Sequence, residues 1–256
     1  MIRSTKVFER YLQRRLARRW RRLASDAQTM KLSQLRALQT EARAFRSNLE
    51  TVLMISDNRL SGPGLKSNAI AAQKTADWVW RPSIWRGGLL EPGIIAAPNQ
   101  SHLGADTTLF HDCKTSEISI RQIRNKRASD LAPFGVRLEI FGFEGSFLSL
   151  ALDAPPDALA GLSKRNVLVV EAILQSERPI NVYARLNIRH GPNVASQLAH
   201  LPRETEATRA EFDLAYTDIN DRRLEQMWVD LIFEDPAMNE VVLRDVTFSR
   251  IFRADL

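Results

Sequence analysis

The stretch Ile180-Asn181-Val182-Tyr183-Ala184-Arg185-Leu186-Asn187-Ile188-Arg189 decides the fold. Ile180, Val182, Ala184, Leu186 and Ile188 alternate without error with a polar set, Asn181, Tyr183, Arg185, Asn187 and Arg189. A period of two places one set in a core and the other on the opposite face of a strand. His190-Gly191-Pro192-Asn193 then reads as a turn. Working outward, strands are expected at 107–110, 117–120, 136–140, 147–152, 167–174, 212–216, 227–233 and 241–252. Trp78 and Trp80 alternate with Val79 on a further strand, and one helical turn is expected within 157–162. About ten strands with turns at short intervals predict an antiparallel sandwich or jelly roll rather than βαβ units.

The period changes to 3.6 before residue 61. All eleven glycines and all eleven prolines lie at or beyond position 62, a helix signal for everything upstream. A first helix is expected over about 4–24, with Ser4 or Thr5 as its cap. Phe8, Leu12, Leu16, Trp20 and Leu23 share one face, Arg10, Arg14, Arg18 and Arg21 the other, and Arg15 and Arg22 a flank. Arg19 falls inside the apolar sector, where only its stem fits. A second helix, from Ser25 or Asp26 to Ser56, carries a short heptad seam at Leu35, Leu38, Ala42, Phe45, Leu49 and Val52. That seam pairs with the first helix, with the body, or with a second copy as a homo-oligomer through residues 25–56. The expected organisation is α+β: a basic arm at 1–60, a hinge and linker at 61–76 opened by Ser61-Gly62-Pro63-Gly64, and a sandwich at 77–256.

Composition narrows the function. Of 256 residues, 44% are hydrophobic and 26% charged, an ordinary globular balance. No apolar run reaches the ~20 residues of a membrane span, and the N-terminus lacks the apolar core of a secretory signal. The sequence expectation is a cytoplasmic protein, peripheral at the inner membrane. Cys113, the single cysteine, cannot form an internal disulfide. The net charge of +6 is uneven: residues 1–60 hold fourteen Lys/Arg against five Asp/Glu, and the remainder is slightly acidic. Such an arm suits an anionic partner, and its aromatic and leucine face suits a membrane surface better than a nucleic-acid duplex.

Candidate sites follow from residue type. The polar face Asn181, Tyr183, Arg185, Asn187 and Arg189 offers amides, guanidinium forks and a ring suited to hydroxyl-rich or anionic ligands, against the plainer reading of a solvated strand face. Trp78, Trp80 and Trp85 read as a stacking platform for sugars or as core. Phe8, Leu12, Leu16, Trp20, Arg15, Arg19 and Arg22 are the membrane or partner contacts of the arm. His102, His111, His190 and His200 are too scattered for a metal site, and no metal or other cofactor is expected. His111-Asp112-Cys113 brings a base and a nucleophile together in sequence, but ~7 Å apart if they share a strand face. No nucleophile elbow or phosphate-binding glycine loop occurs. Glu139, Glu144, Asp230 and Glu234 are the carboxylates considered for a glycosidase pair, though no spacing rule joins them.

The segments Gly145-Ser-Phe-Leu-Ser-Leu150, Tyr183 to Asn193 and Trp78-Val-Trp-Arg-Pro82 resemble a family of alphaproteobacterial proteins of unknown function. That resemblance brings no reaction or ligand with it. The ending, Trp228 to Pro236 followed by Val242 to Arg250, is similar to the closing hairpin of galactose-binding-like and carbohydrate-binding jelly rolls, which implies fold only. The resulting expectation is a non-enzymatic bacterial binding or adaptor protein. Its sandwich takes a glycan or a protein, and its arm meets an anionic membrane or another subunit. The alternatives are a polysaccharide-acting enzyme on the same jelly roll and an assembly component oligomerising through the arm.

Overall fold

The computed structural model describes residues 2–60, 70 and 75–253, which divide into two compact units, Met1–Leu53 and Met54–Leu256. The expected Ser61-Gly62-Pro63-Gly64 hinge lies outside the described residues, as do the side chains of Phe8 and Leu12.

The arm holds helices α1 (Ile2–Asp26) and α2 (Leu32–Leu60). Ser4 and Thr5 lie inside α1 rather than capping it, because the helix already begins at Ile2. The break between the helices is a turn in which the Asp26 carbonyl accepts from the Thr29 N–H (3.0 Å) and hydroxyl (3.1 Å). The two helices pack on each other through the Trp20 and Phe45 rings, 5.7 Å apart. Arg19 crosses to Glu41 at 3.0 Å, so the arginine in the apolar sector has its head on a carboxylate of α2. Leu49 and Val52, further along the same seam, are exposed.

The body comprises β1 (Ala76–Trp80), α3 (Ser83–Arg86), β2 (Gly93–Ile94), β3 (Ser101–His102), β4 (Thr107–His111), β5 (Ile118–Arg124), β6 (Phe134–Ile140) and β7 (Leu148–Asp153). A 3₁₀ turn at Pro156–Leu159 precedes β8 (Asn166–Ser176), β9 (Asn181–His190), β10 (Asn193–Leu201) and β11 (Ala207–Asp213). A second 3₁₀ turn, Leu214–Tyr216, leads to β12 (Leu224–Glu234) and β13 (Asn239–Phe252). One sheet runs β11-β8-β13-β6-β5-β2, with β1 also on β13; the other runs β10-β9-β12-β7-β4-β3. Every pairing is antiparallel. The chain is therefore α+β, a two-helix arm followed by an antiparallel β-sandwich.

Alternation explains the layering. Leu109, Leu150, Leu186, Val229 and Leu231 of the second sheet face Val136, Leu138, Val170, Leu243 and Val246 of the first, all buried in one core. A bulge between Leu243 and Asp245 lets both Leu243 and Val246 point inward. The expected strand at 212–216 ends instead at Asp213, whose carboxylate accepts from the Ala215 N–H at 3.0 Å and turns the chain.

Candidate functional site

The outer face of the six-stranded sheet carries an open groove of about 550 Å³. Register places its side chains in rows across the strands. Trp228 on β12 lies between Asn187 on β9 and Asp153 on β7. Asp230 lies between Arg185 and Ala151, and the row continues through Thr108 to His102. Ile232 lies between Tyr183 and Ser149, with Phe110 beyond, and Gln226 lies opposite Arg189. These residues face away from the core because their neighbours Met227, Val229, Leu231 and Phe233 fill it.

The floor is fixed by a polar network. Asp230, buried, accepts on Oδ2 from Arg185 Nε (3.0 Å), Arg185 Nη2 (2.8 Å) and Asn187 Nδ2 (2.9 Å). Asn187 in turn donates to the Arg185 carbonyl at 3.1 Å and accepts from Ser196 Oγ at 2.8 Å. Asp153 accepts from Gln226 Nε2 at 3.3 Å. Burial holds the Asp153 carboxyl above the usual carboxylate range; the charges of Asp106 and Asp230 push the same way, while Gln226 and His102 oppose them. Thr108 Oγ1 lies 2.9 Å from His102 Nδ1.

One wall is Phe147, whose entry into β7 is held by Asp112. That carboxylate accepts from Ser146 N–H (2.7 Å) and Ser146 Oγ–H (2.6 Å), and the Ser146 hydroxyl is the main reason its pKa is lowered. A Cβ at Gly145 would press on the Asp112 carboxylate and approach Cys113 Sγ to 3.0 Å, so a side chain there displaces the carboxylate that holds Ser146.

The expected site residues separate. Arg185 and Arg189 line the groove. Asn187 belongs to the floor, buried with both amide atoms engaged, and is not free to meet a ligand. Asn181 donates to Glu234 at 2.8 Å, and Tyr183 lies against His200, ring centroids 5.2 Å apart. The tryptophan platform is corrected. Trp80 and Trp85 are buried in the core, Trp80 against Phe248 and Trp85 donating Nε1–H to the Leu243 carbonyl at 3.0 Å. Trp78, half-buried, stacks on Trp80 in the other sheet. The proline after Arg81 turns the chain into α3 and carries Trp85 inward. In the arm, Arg15 and Arg22 are exposed, Leu16 borders on exposure, and Trp20 is half-buried in the helix pair.

Sequence reading missed Trp228, Asp153, Gln226, His102, Phe110 and Phe147. The outward set Gln226, Trp228, Asp230 and Ile232 alternates as clearly as that of β9, and this was the available signal. Of the four carboxylates considered, only Asp230 reaches the groove; Glu139 pairs with Arg121, Glu144 holds the Lys114 and Thr115 N–H groups, and Glu234 holds Asn181. His111 is buried, accepting the Cys113 N–H on Nδ1 at 3.2 Å and facing the Ala97 carbonyl through Nε2 at 2.9 Å, so both ring nitrogens are committed to backbone. Among the described residues no cluster of His, Cys, Asp or Glu has the arrangement to hold a metal, and no helix is long and apolar enough to cross a membrane.

Comparison with solved structures finds distant similarities. The enzymatically active domain of bacteriophage CBA120 tailspike protein 4 aligns at TM-score 0.40 and 8% identity, over 69% of this chain and 24% of that one. The chain thus spans about a quarter of the tailspike domain it matches. A family 11 carbohydrate-binding module from Clostridium thermocellum, in complex with a β-1,3-1,4-mixed-linked tetrasaccharide, aligns at 0.39 and 5% identity over 64% and 98%. The CBM22-1 xylan-binding domain of Paenibacillus barcinonensis Xyn10C aligns at 0.39 and 9% identity over 72% and 100%. No match is found among curated proteins. Residues 1–256, the whole sequence, match the family described as "Family of unknown function (DUF6478)", and the chain belongs to that family.

Proposed function

We propose that the protein is a non-enzymatic glycan-binding protein that uses the groove on the six-stranded sheet, and that its arm attaches it to an anionic membrane surface. The observation that carries the first half is the lining of the groove. An indole and two phenyl rings (Trp228, Phe110 and Phe147) stand beside guanidinium, amide and carboxyl groups from Arg185, Arg189, Gln226 and Asp153. Pyranose rings present C–H faces to aromatic rings and hydroxyls to planar polar groups, and an open trough admits a chain rather than a single sugar. The floor network fixes Asp230 and Arg185 before any ligand arrives, which lowers the ordering cost of binding.

The arm's part rests on charge and exposure. Residues 1–60 hold fourteen basic residues against five acidic ones, and Phe45, Leu49, Val52 and Ile55 of α2 are exposed. Apolar side chains flanked by arginines suit the headgroup region of an anionic bilayer, each cation adding ~1 kcal/mol near the surface. Replacing Leu49 and Val52 by Glu in the full chain is expected to abolish co-sedimentation with phosphatidylglycerol vesicles; retention of binding refutes the membrane role, and loss of a concentration-dependent oligomer instead assigns the seam to subunit contact.

A second reading has one specific observation in its favour. Asp153 and Asp230 are diagonal neighbours on β7 and β12, both line the groove, and Asp153 is held above its ordinary pKa. A general acid beside an ionised carboxylate is the pair a glycosidase needs. Native gels cast with soluble xylan or mixed-linkage glucan test the binding proposal by retardation of the full chain. Reducing-end release from those polymers, lost in Asp153→Asn while retardation remains, would favour the enzyme.

A further inference from the structure

The charged side chains of the groove are not paired alike. Arg185 is claimed, since its Nε and Nη2 both donate to Asp230. Asp153 accepts from Gln226 Nε2 at 3.3 Å. Arg189 is different. It is exposed at the groove, its neighbour across β12 is the uncharged Gln226, and no carboxylate among the described residues pairs with it. Its guanidinium carbon instead lies 6.0 Å from the centroid of the Trp228 ring. A cation–π contact with the indole holds the guanidinium beside the ring, and a fork that no carboxylate claims matches a carboxylate or sulfate with two parallel hydrogen bonds.

We infer that the groove selects an acidic glycan, with an anionic group of one sugar, a uronic carboxylate or a sulfate ester, on the Arg189 guanidinium beside Trp228. This rests on the glycan-binding reading above and adds to it the class of sugar. The mostly neutral lining elsewhere leaves the remaining sugar contacts to hydroxyls and ring faces.

The basic arm attracts any long polyanion without using the groove, so the test takes short ligands. Tetragalacturonate, a sulfated carrageenan tetrasaccharide and xylotetraose are titrated calorimetrically into the full chain at 150 mM salt. The same titrations are run on Arg189→Gln, Arg189→Lys and, as an arm control, Arg43→Gln, an exposed arginine of α2. The expected result is tighter binding of an acidic tetrasaccharide than of xylotetraose. Arg189→Gln should weaken it about tenfold to a hundredfold, as loss of a charge-assisted hydrogen-bonded pair does. Arg189→Lys should recover only part, Arg43→Gln should change nothing, and xylotetraose should bind wild type and Arg189→Gln alike. The carboxylated and sulfated ligands show which anion the fork takes. The inference is overturned, with glycan binding intact, if xylotetraose binds as well as the acidic ligands or if Arg189→Gln leaves their affinity unchanged. If no tetrasaccharide binds, the glycan reading fails and the inference with it.

Discussion

Removing Arg81 should unfasten the segment that joins β1 to α3. Arg81 and Asp245 form a bidentate pair, Nε to Oδ1 at 2.8 Å and Nη2 to Oδ2 at 2.7 Å, with Arg81 1% and Asp245 6% exposed. The pair ties the chain just after β1 to the bulge in β13. From there α3 begins, and Ser83 donates its N–H and hydroxyl to Asp106 at 2.7 and 2.8 Å. Burial already outweighs the guanidinium at Asp245 and holds its pKa above the ordinary value. Arg81→Met leaves that carboxylate buried without a counter-charge, which costs about 3–5 kcal/mol. At about 2–4 °C per kcal/mol for a domain of this size, the melting temperature should fall by about 6–20 °C. Near-UV circular dichroism reads this in the body, because Trp78, Trp80, Trp85 and Trp228 lie there and only Trp20 lies in the arm. The double variant Arg81→Met/Asp245→Leu removes both charges and should return to within about 1 kcal/mol of wild type. A carboxyl with a raised folded pKa favours the protonated folded state, so its penalty appears as pH rises through that pKa. The Arg81→Met deficit should therefore shrink on acidification toward pH 4. A deficit below ~1 kcal/mol, or a double variant as unstable as the single one, refutes the reasoning.

Asp153→Asn should stabilise the protein at neutral pH. The wild-type carboxyl binds its proton more tightly folded than unfolded, so stability falls as pH rises from ordinary carboxylate pKa values through the raised one, and the variant lacks that fall. The gap in melting temperature should be near zero at pH 3 and widen to a plateau by pH 7; a gap that narrows contradicts the assignment. Asn187→Leu strips Asp230 and Ser196 of a partner beneath the groove and should cost about 1–3 kcal/mol in urea unfolding, and an unchanged midpoint would remove Asn187 from the floor. Trp85→Phe keeps the ring but orphans the Leu243 carbonyl, with an expected loss of about 1–3 kcal/mol by thermal melting.

The strands that alternate around a fully buried face were legible in the sequence, and β9 is the clearest of them. Strand β10 was not, because it lies at the sheet edge: Ala195, Gln197 and Ala199 are only half-buried while Val194 and Leu198 are exposed, so hydrophobicity does not alternate with burial. Strands β2 and β3, two residues each, carry no period at all. The groove was half legible. The outward face of one strand can be read from its own residues, which gave Arg185 and Arg189. Which strands flank it is set by long-range pairing, and so the meeting of Trp228, Asp153 and His102 with those arginines was not. The choice between platform and core for the tryptophans was not legible for a related reason. Alternation places Trp78 and Trp80 on a common face, and only the opposing sheet shows that Trp80 lies in the core.

Calorimetric titration of Trp228→Ala and Trp78→Ala, each in the full chain, with the tetrasaccharide that binds the wild type most tightly tests the groove most directly. The two rings lie on different sheets, and only Trp228 lines the groove. The account predicts that binding is lost in Trp228→Ala and kept in Trp78→Ala. Undiminished binding by Trp228→Ala, or loss confined to Trp78→Ala, would contradict it.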